Sequence, residues 1–176
     1  HKNVPTLLEA MSMLPGLAEE SAPPVRLMLA GDGPERQALA AMTDQLGLRD
    51  TVQWLGERRD VPALMNASDT VVLPSWREGL SNVILEAMQA AKPVLASRTG
   101  GNTESVIPDQ TGILFDPADA KALAAEILRL AGDQSLAQRL GATGCQRVAS
   151  IFALNALAEN TQHHYRQILG LPALPT

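Results

Sequence analysis

The densest chemistry in the chain lies in Leu73-Pro74-Ser75-Trp76-Arg77-Glu78-Gly79-Leu80-Ser81-Asn82-Val83-Ile84-Leu85-Glu86-Ala87-Met88, where two glutamates stand eight positions apart across a strand-to-helix turn. Gly79, between them, permits close backbone approach, and Ser81 or Asn82 is a natural helix N-cap. The unpaired N–H groups of a first helical turn attract anionic oxygen, so a phosphate can dock there without a side-chain cation. Glu86 falls about 6 Å further along the helix axis at ~1.5 Å per residue. A carboxylate only accepts hydrogen bonds, which suits a vicinal diol such as the ribose of a nucleotide. Glu78, on the loop, faces whatever lies beyond the phosphates, and a sugar hydroxyl fits.

Positioning these groups takes a sheet and its helices. Apolar spacing predicts a helix over Val4–Leu14, followed by a Pro23-Pro24 break. Strands are expected at Val25–Ala30, Thr51–Leu55, Thr70–Leu73, Pro93–Ser97 and Gly112–Phe115. Between them the pattern predicts helices from Pro34 to Gly47 and over Val61–Ala67, Ser81–Ala91 and Thr103–Ile107. Ala118–Leu130, Ser135–Val148 and Ala153–Leu169 then read as helix. Strands alternating with helices imply an α/β, Rossmann-like three-layer domain whose parallel sheet has about five to six strands. Ligands of such sheets bind beyond the strand carboxyl ends, and glycine collects in four turns there: Gly31–Pro34, Gly56–Asp60, Ser75–Asn82 and Ser97–Thr103.

The 176 residues, with 45% hydrophobic and 19% charged side chains, describe one globular domain with a full core. Nineteen acidic against fourteen basic residues leave a net charge of -5, which argues against nucleic acid as a partner. Cys145 is the single cysteine, so no internal disulfide and no multi-cysteine metal site can form, and a reducing compartment is expected. No apolar run approaches the ~20 residues of a membrane span. The chain opens His1-Lys2-Asn3 without methionine, from which a longer parent protein is expected.

Taken together, these residues resemble the C-terminal, donor-binding half of a retaining family 4 glycosyltransferase of the GT-B fold. The matching words are Lys2-Asn3, Ala30-Gly31-Asp32-Gly33-Pro34, Val52–Gly56, Leu73-Pro74-Ser75, Glu78-Gly79-Leu80 through Glu86-Ala87-Met88, Lys92-Pro93-Val94, Gly100-Gly101 with Glu104, and Thr111-Gly112. Their order and spacing carry the likeness; Gly31-x-Gly33 alone would be weak. The resemblance implies that Glu86 holds the ribose diol and Glu78 the transferred sugar or its leaving side. It implies that the amides of Gly79, Leu80, Ser81 and Asn82 hold the distal phosphate, and that Lys2 neutralises the departing diphosphate with an arginine upstream of His1. The turn after Gly56 would border the base, with Arg58 or Arg59 stacking on it, while Gly31, Gly33, Gly100 and Gly101 line the site.

The resemblance further implies a UDP- or GDP-sugar donor and no metal, consistent with the lack of an Asp-x-Asp pair. Residues 1–170 would form the donor domain and 171–176 a tail, with the acceptor, a saccharide or lipid-linked glycan, held by an N-terminal domain. The expected location is the cytoplasm, including the inner face of a membrane reached through that domain. This domain alone would bind donor weakly and transfer nothing.

Two other readings stand beside this one. A sugar-nucleotide epimerase or phosphorylase on the same plan should lack the Pro-Ser-x-x-Glu-Gly opening; a non-catalytic nucleotide-binding or donor-subunit module is not separable by sequence. Gly31–Gly33 and Gly100–Gly101 are each divided between turn geometry and ligand contact. His163-His164 read as surface residues, Cys145 as a small buried or half-buried side chain, Trp76 as a packing residue, and the six methionines as core.

Overall fold

The computed structural model describes residues 2–152 and 154–170. The expected tail, 171–176, lies outside the described residues, as does Ala153 at the start of the last expected helix. The element order is α1 (Val4–Leu17), β1 (Leu27–Ala30), α2 (Arg36–Gln45), β2 (Val52–Gly56), α3 (Val61–Ala67), β3 (Val71–Leu73), α4 (Asn82–Gln89), β4 (Val94–Ser97), α5 (Asn102–Ser105), β5 (Ile113–Phe115), α6 (Ala120–Gly132), α7 (Gln134–Ile151) and α8 (Leu154–Ile168). This is the expected Rossmann-like alternation followed by C-terminal helices.

All strand pairs run parallel. β1 pairs with β2, matching Leu27 with Val52, while β4 lies between β3 and β5, matching Val71 with Val94 and Leu95 with Ile113. The five strands thus make two ladders, β1-β2 and β3-β4-β5. A cleft of about 1440 Å³ runs between them, walled by β1, Val71-Val72 and core side chains such as Leu7, Met65 and Leu95. Neither Glu78, Glu86 nor Lys2 lines it, so this cleft belongs to the sheet and not to the glutamate pair.

β4 is the centre of its ladder, and all four of its residues are buried, as expected for a strand covered by helices on both faces. On one side α1 buries Leu7, Leu8, Ala10, Met11 and Leu14 in a core shared with Leu123, Ile127 and Leu130 of α6. On the other, α4 sets Ile84, Ala87 and Met88 against Val94, Ala96 and Val106. α7 backs α4 at close range: a Cβ on Gly141 would stand 2.1 Å from the Ala91 carbonyl oxygen, so only glycine lets these elements meet. Asp119 and Asp133 cap α6 and α7, each accepting a backbone N–H at 2.8 Å. The core position of α4 fixes where its N-terminus, and therefore the loop before it, must stand.

Candidate functional site

Five segments meet the strand carboxyl ends: the chain before α1, the turns after β1 and β2, the β3–α4 loop and the β4–α5 loop. The first and the last two converge. Lys2 Nζ donates to Glu78 Oε1 at 2.8 Å, joining the chain start to the β3–α4 loop. Burial alone would push the Glu78 carboxyl up; the Lys2 ammonium and the Ser75 hydroxyl outweigh it and hold the group below its ordinary 4.5. Ser75 Oγ is buried without an ideal hydrogen bond of its own, so its influence on Glu78 comes from proximity more than from a well-aligned contact.

Asn3 follows Lys2 directly. It is buried with a left-handed backbone (φ 51, ψ 40), and its Nδ2 donates to the carbonyls of Pro74 at 3.1 Å and Pro117 at 2.8 Å. Thr6 Oγ1 donates to its Oδ1 at 3.0 Å. The signal for it in the sequence is an asparagine at a helix start, where a left-handed backbone is tolerated.

The β3–α4 loop is held from the other side by the β4–α5 loop. Ser97 Oγ donates to the Ser75 carbonyl at 2.5 Å, Asn102 Nδ2 donates to the Ser97 carbonyl at 3.0 Å, and the Gly101 amide donates to the Glu78 carbonyl at 3.2 Å. A Cβ on Gly100 would sit 2.0 Å from the Glu78 carbonyl oxygen, and one on Gly101 2.4 Å from that of Gly79. The two glycines therefore seat main chain on main chain, a packing duty that either of the expected readings accommodates. Arg147 of α7, not foreseen from the sequence, clamps the far end of α5 by donating to the carbonyls of Ser105 at 2.9 Å and Glu104 at 2.7 Å.

Ser81 occupies the N-cap of α4, as expected of Ser81 or Asn82, but its side chain makes no capping bond. The first-turn N–H groups are thus not used by a side-chain cap, the condition an anion-binding helix tip requires. Glu86 is exposed in the second turn of α4 and engages no side chain among the described residues. Gly79 and Leu80 are exposed on the loop before α4. Trp76 departs from expectation: it is 48% exposed on the loop instead of packed, because the buried residues there are Pro74 and Ser75. Met13 and Met28, at 38% each, likewise lie outside the core.

The other expected residues sit on the neighbouring ladder. The Gly31 amide donates to the Gly56 carbonyl at 2.7 Å, and Asp32 accepts from the Gly33 amide at 2.7 Å. Arg58 is committed to its own loop, gripping Asp60 at two points, 2.8 and 2.6 Å, while Arg59 is exposed. No hydrogen bond joins Gly31, Gly33 or Arg58 to the Glu78 loop among the described residues. Nor do three or more His, Cys, Asp or Glu side chains cluster there to hold a metal ion.

The lipopolysaccharide core biosynthesis glycosyltransferase LpsD of Rhizobium meliloti is 38% identical over 133 residues, covering 76% of this chain and 39% of that protein. Sucrose-phosphate synthase (tll1590) from Thermosynechococcus elongatus superposes with a TM-score of 0.83 and 32% identity over 96% of this chain and 43% of that one. Anabaena Alr3699/HepE, solved in complex with UDP-glucose, superposes with a TM-score of 0.81 and 27% identity over 94% of this chain and 45% of that one. The chain thus spans less than half the length of each, and its fold is the C-terminal half of the GT-B architecture. The family described as glycosyl transferases group 1 matches residues 1–147, and the chain belongs to that family.

Proposed function

We propose that this chain is the donor-binding half of a retaining family 4 glycosyltransferase that moves a hexosyl group from a UDP- or GDP-sugar to a saccharide or lipid-linked glycan. The observation that carries the reading is the Lys2–Glu78 pair beside the tip of α4, with Glu86 exposed one turn further on. A diphosphate oxygen fits the first-turn amides at Gly79, Leu80, Ser81 and Asn82. Lys2 is then the charge that stabilises the leaving diphosphate, a task for fixed positive groups in a site with no metal. Glu78 accepts a hydroxyl of the transferred sugar, and Glu86 accepts the ribose diol. The Gly31–Gly33 turn and the Gly56–Asp60 turn border the nucleoside, and Arg58 reaches a base only by loosening its fork to Asp60.

The acceptor is assigned to an N-terminal domain, and the cytoplasm to the whole protein. No helix among the described residues is long and apolar enough to cross a membrane. Support for the donor comes from the relative solved with UDP-glucose. Calorimetric titration of the chain with UDP-glucose and with GDP-mannose tests the reading. One of the two binds, and Glu86→Ala weakens it by about 1–3 kcal/mol through lost charged hydrogen bonds. Equal affinity of variant and parent removes Glu86 from the ribose.

A further inference from the structure

Asn3 stands at the N-cap of α1, a position where asparagine ordinarily turns its side chain back to accept a helix N–H. It makes no such bond. Its side chain is engaged elsewhere: both Nδ2 hydrogens go to carbonyls of Pro74 and Pro117, and Oδ1 accepts from the Thr6 hydroxyl. The partners lie 71 and 114 residues away, one opening the Glu78 loop and the other preceding α6. A left-handed backbone at Asn3 turns the chain at the residue after Lys2. We propose that Asn3 is a positioning residue of the site, stapling the start of α1 to Pro74 so that the Lys2 ammonium stands over Glu78.

The cap is left unused while both Nδ2 donations go to distant carbonyls, so the arrangement serves the loop more than the helix. The staple also acts at the base of the loop: Pro74 is held by Asn3 while Ser75, the next residue, is held by Ser97. Glu78 therefore hangs from two adjacent fixed carbonyls, and Lys2 is anchored to the same point from the other side. The catalytic meaning of this geometry rests on the donor-site reading above, while the geometry itself does not.

The test is the pH titration of the Glu78 carboxyl, followed by carbon NMR on glutamate-labelled chain and assigned with Glu78→Gln. Two variants separate the causes. Asn3→Gly keeps the permissive backbone, removes the side chain and adds no charge, so it decides the matter. Asn3→Asp keeps the shape and the acceptor for Thr6 while removing both donations, but its own negative charge also raises the Glu78 midpoint, so it only supports the Asn3→Gly result. Both move the Glu78 midpoint upward toward an ordinary carboxylate, whereas Thr43→Val, which deletes a buried hydroxyl bonded to Leu39, lowers stability and leaves that midpoint in place. An unchanged midpoint in folded Asn3→Gly overturns the proposal. UDP calorimetry on the parent keeps the two readings apart: a moved midpoint without UDP binding sinks the donor site and spares the staple, and UDP binding with an unmoved midpoint sinks the staple alone.

Discussion

Replacing Gly101 by alanine is the sharpest test of how the site loops are held. Its backbone, φ −64 and ψ −10, is one that alanine adopts freely, so no conformational strain is added. The new methyl would stand 2.4 Å from the Gly79 carbonyl oxygen, 2.7 Å from its carbon and 3.0 Å from the Leu80 nitrogen. That is about 1 Å short of the ~3.5 Å at which such atoms attract. Every atom in the way is main chain, and the Gly101 amide is tied to the Glu78 carbonyl, so no side chain can swing aside. Overpacking of this kind costs about 1–3 kcal/mol, offset by roughly 0.4–1 kcal/mol from a less flexible unfolded chain. At mid-range the net loss is about 1.3 kcal/mol. With a urea slope of ~2 kcal/mol/M, the unfolding midpoint falls by about 0.7 M.

Gly16→Ala is the internal control. Gly16 lies in α1 with nothing within 4 Å of its built Cβ, so the same substitution there stabilises, by roughly 0.4–1 kcal/mol. Urea unfolding of the two variants beside the parent should give shifts of opposite sign. If Gly101→Ala moves the midpoint upward, as Gly16→Ala does, the main-chain seat is not what holds the Glu78 loop.

Two further outcomes follow from the same geometry. Lys2→Met keeps the stem and deletes the charge; because Lys2 is 63% exposed and Glu78 only 15%, solvent screening limits the loss at neutral pH to about 0.5 kcal/mol. The folded Glu78 carboxyl lies below its ordinary 4.5, so the unfolded chain binds the extra proton: the contribution is full above 4.5 and disappears as pH falls through the folded value. Urea unfolding at neutral and at acid pH checks this, and a gap between parent and variant that is as wide in acid disproves the assignment. EDTA should leave UDP-glucose binding unaltered, since a lysine and a helix tip carry the positive charge; calorimetry showing a marked loss would call for a cation instead.

Much of this was readable from residue order, and what was not has a physical reason. Val61–Ala67 forms a helix as its spacing foretells, and Glu78, Gly79 and Glu86 fall on a loop and a helix because apolar Ile84, Ala87 and Met88 leave only one face to bury. Strand ends drift because ladder partners decide them: Val25 was expected in β1, yet the ladder begins where Leu27 meets Val52. Two ladders in place of one sheet is likewise a matter of partner choice, invisible to periodicity. The duties of Asn3, Gly101 and Arg147 depend on carbonyls distant in sequence, which no local pattern encodes. Trp76 misleads because an aromatic residue is a prior for burial, and a loop can leave it 48% exposed.

The contact between Lys2 and Glu78 bears on how selective such a site is. A cation that already owns its counter-ion recruits none from solution, so an incoming diphosphate displaces no chloride, and added salt weakens it only through screening over ~8 Å. Any anion that draws the ammonium away strands a carboxylate that is mostly shielded from water. On the proposed reading of the site, a sugar hydroxyl takes up that carboxylate in return, and so the pair would favour molecules that arrive carrying both halves of the exchange.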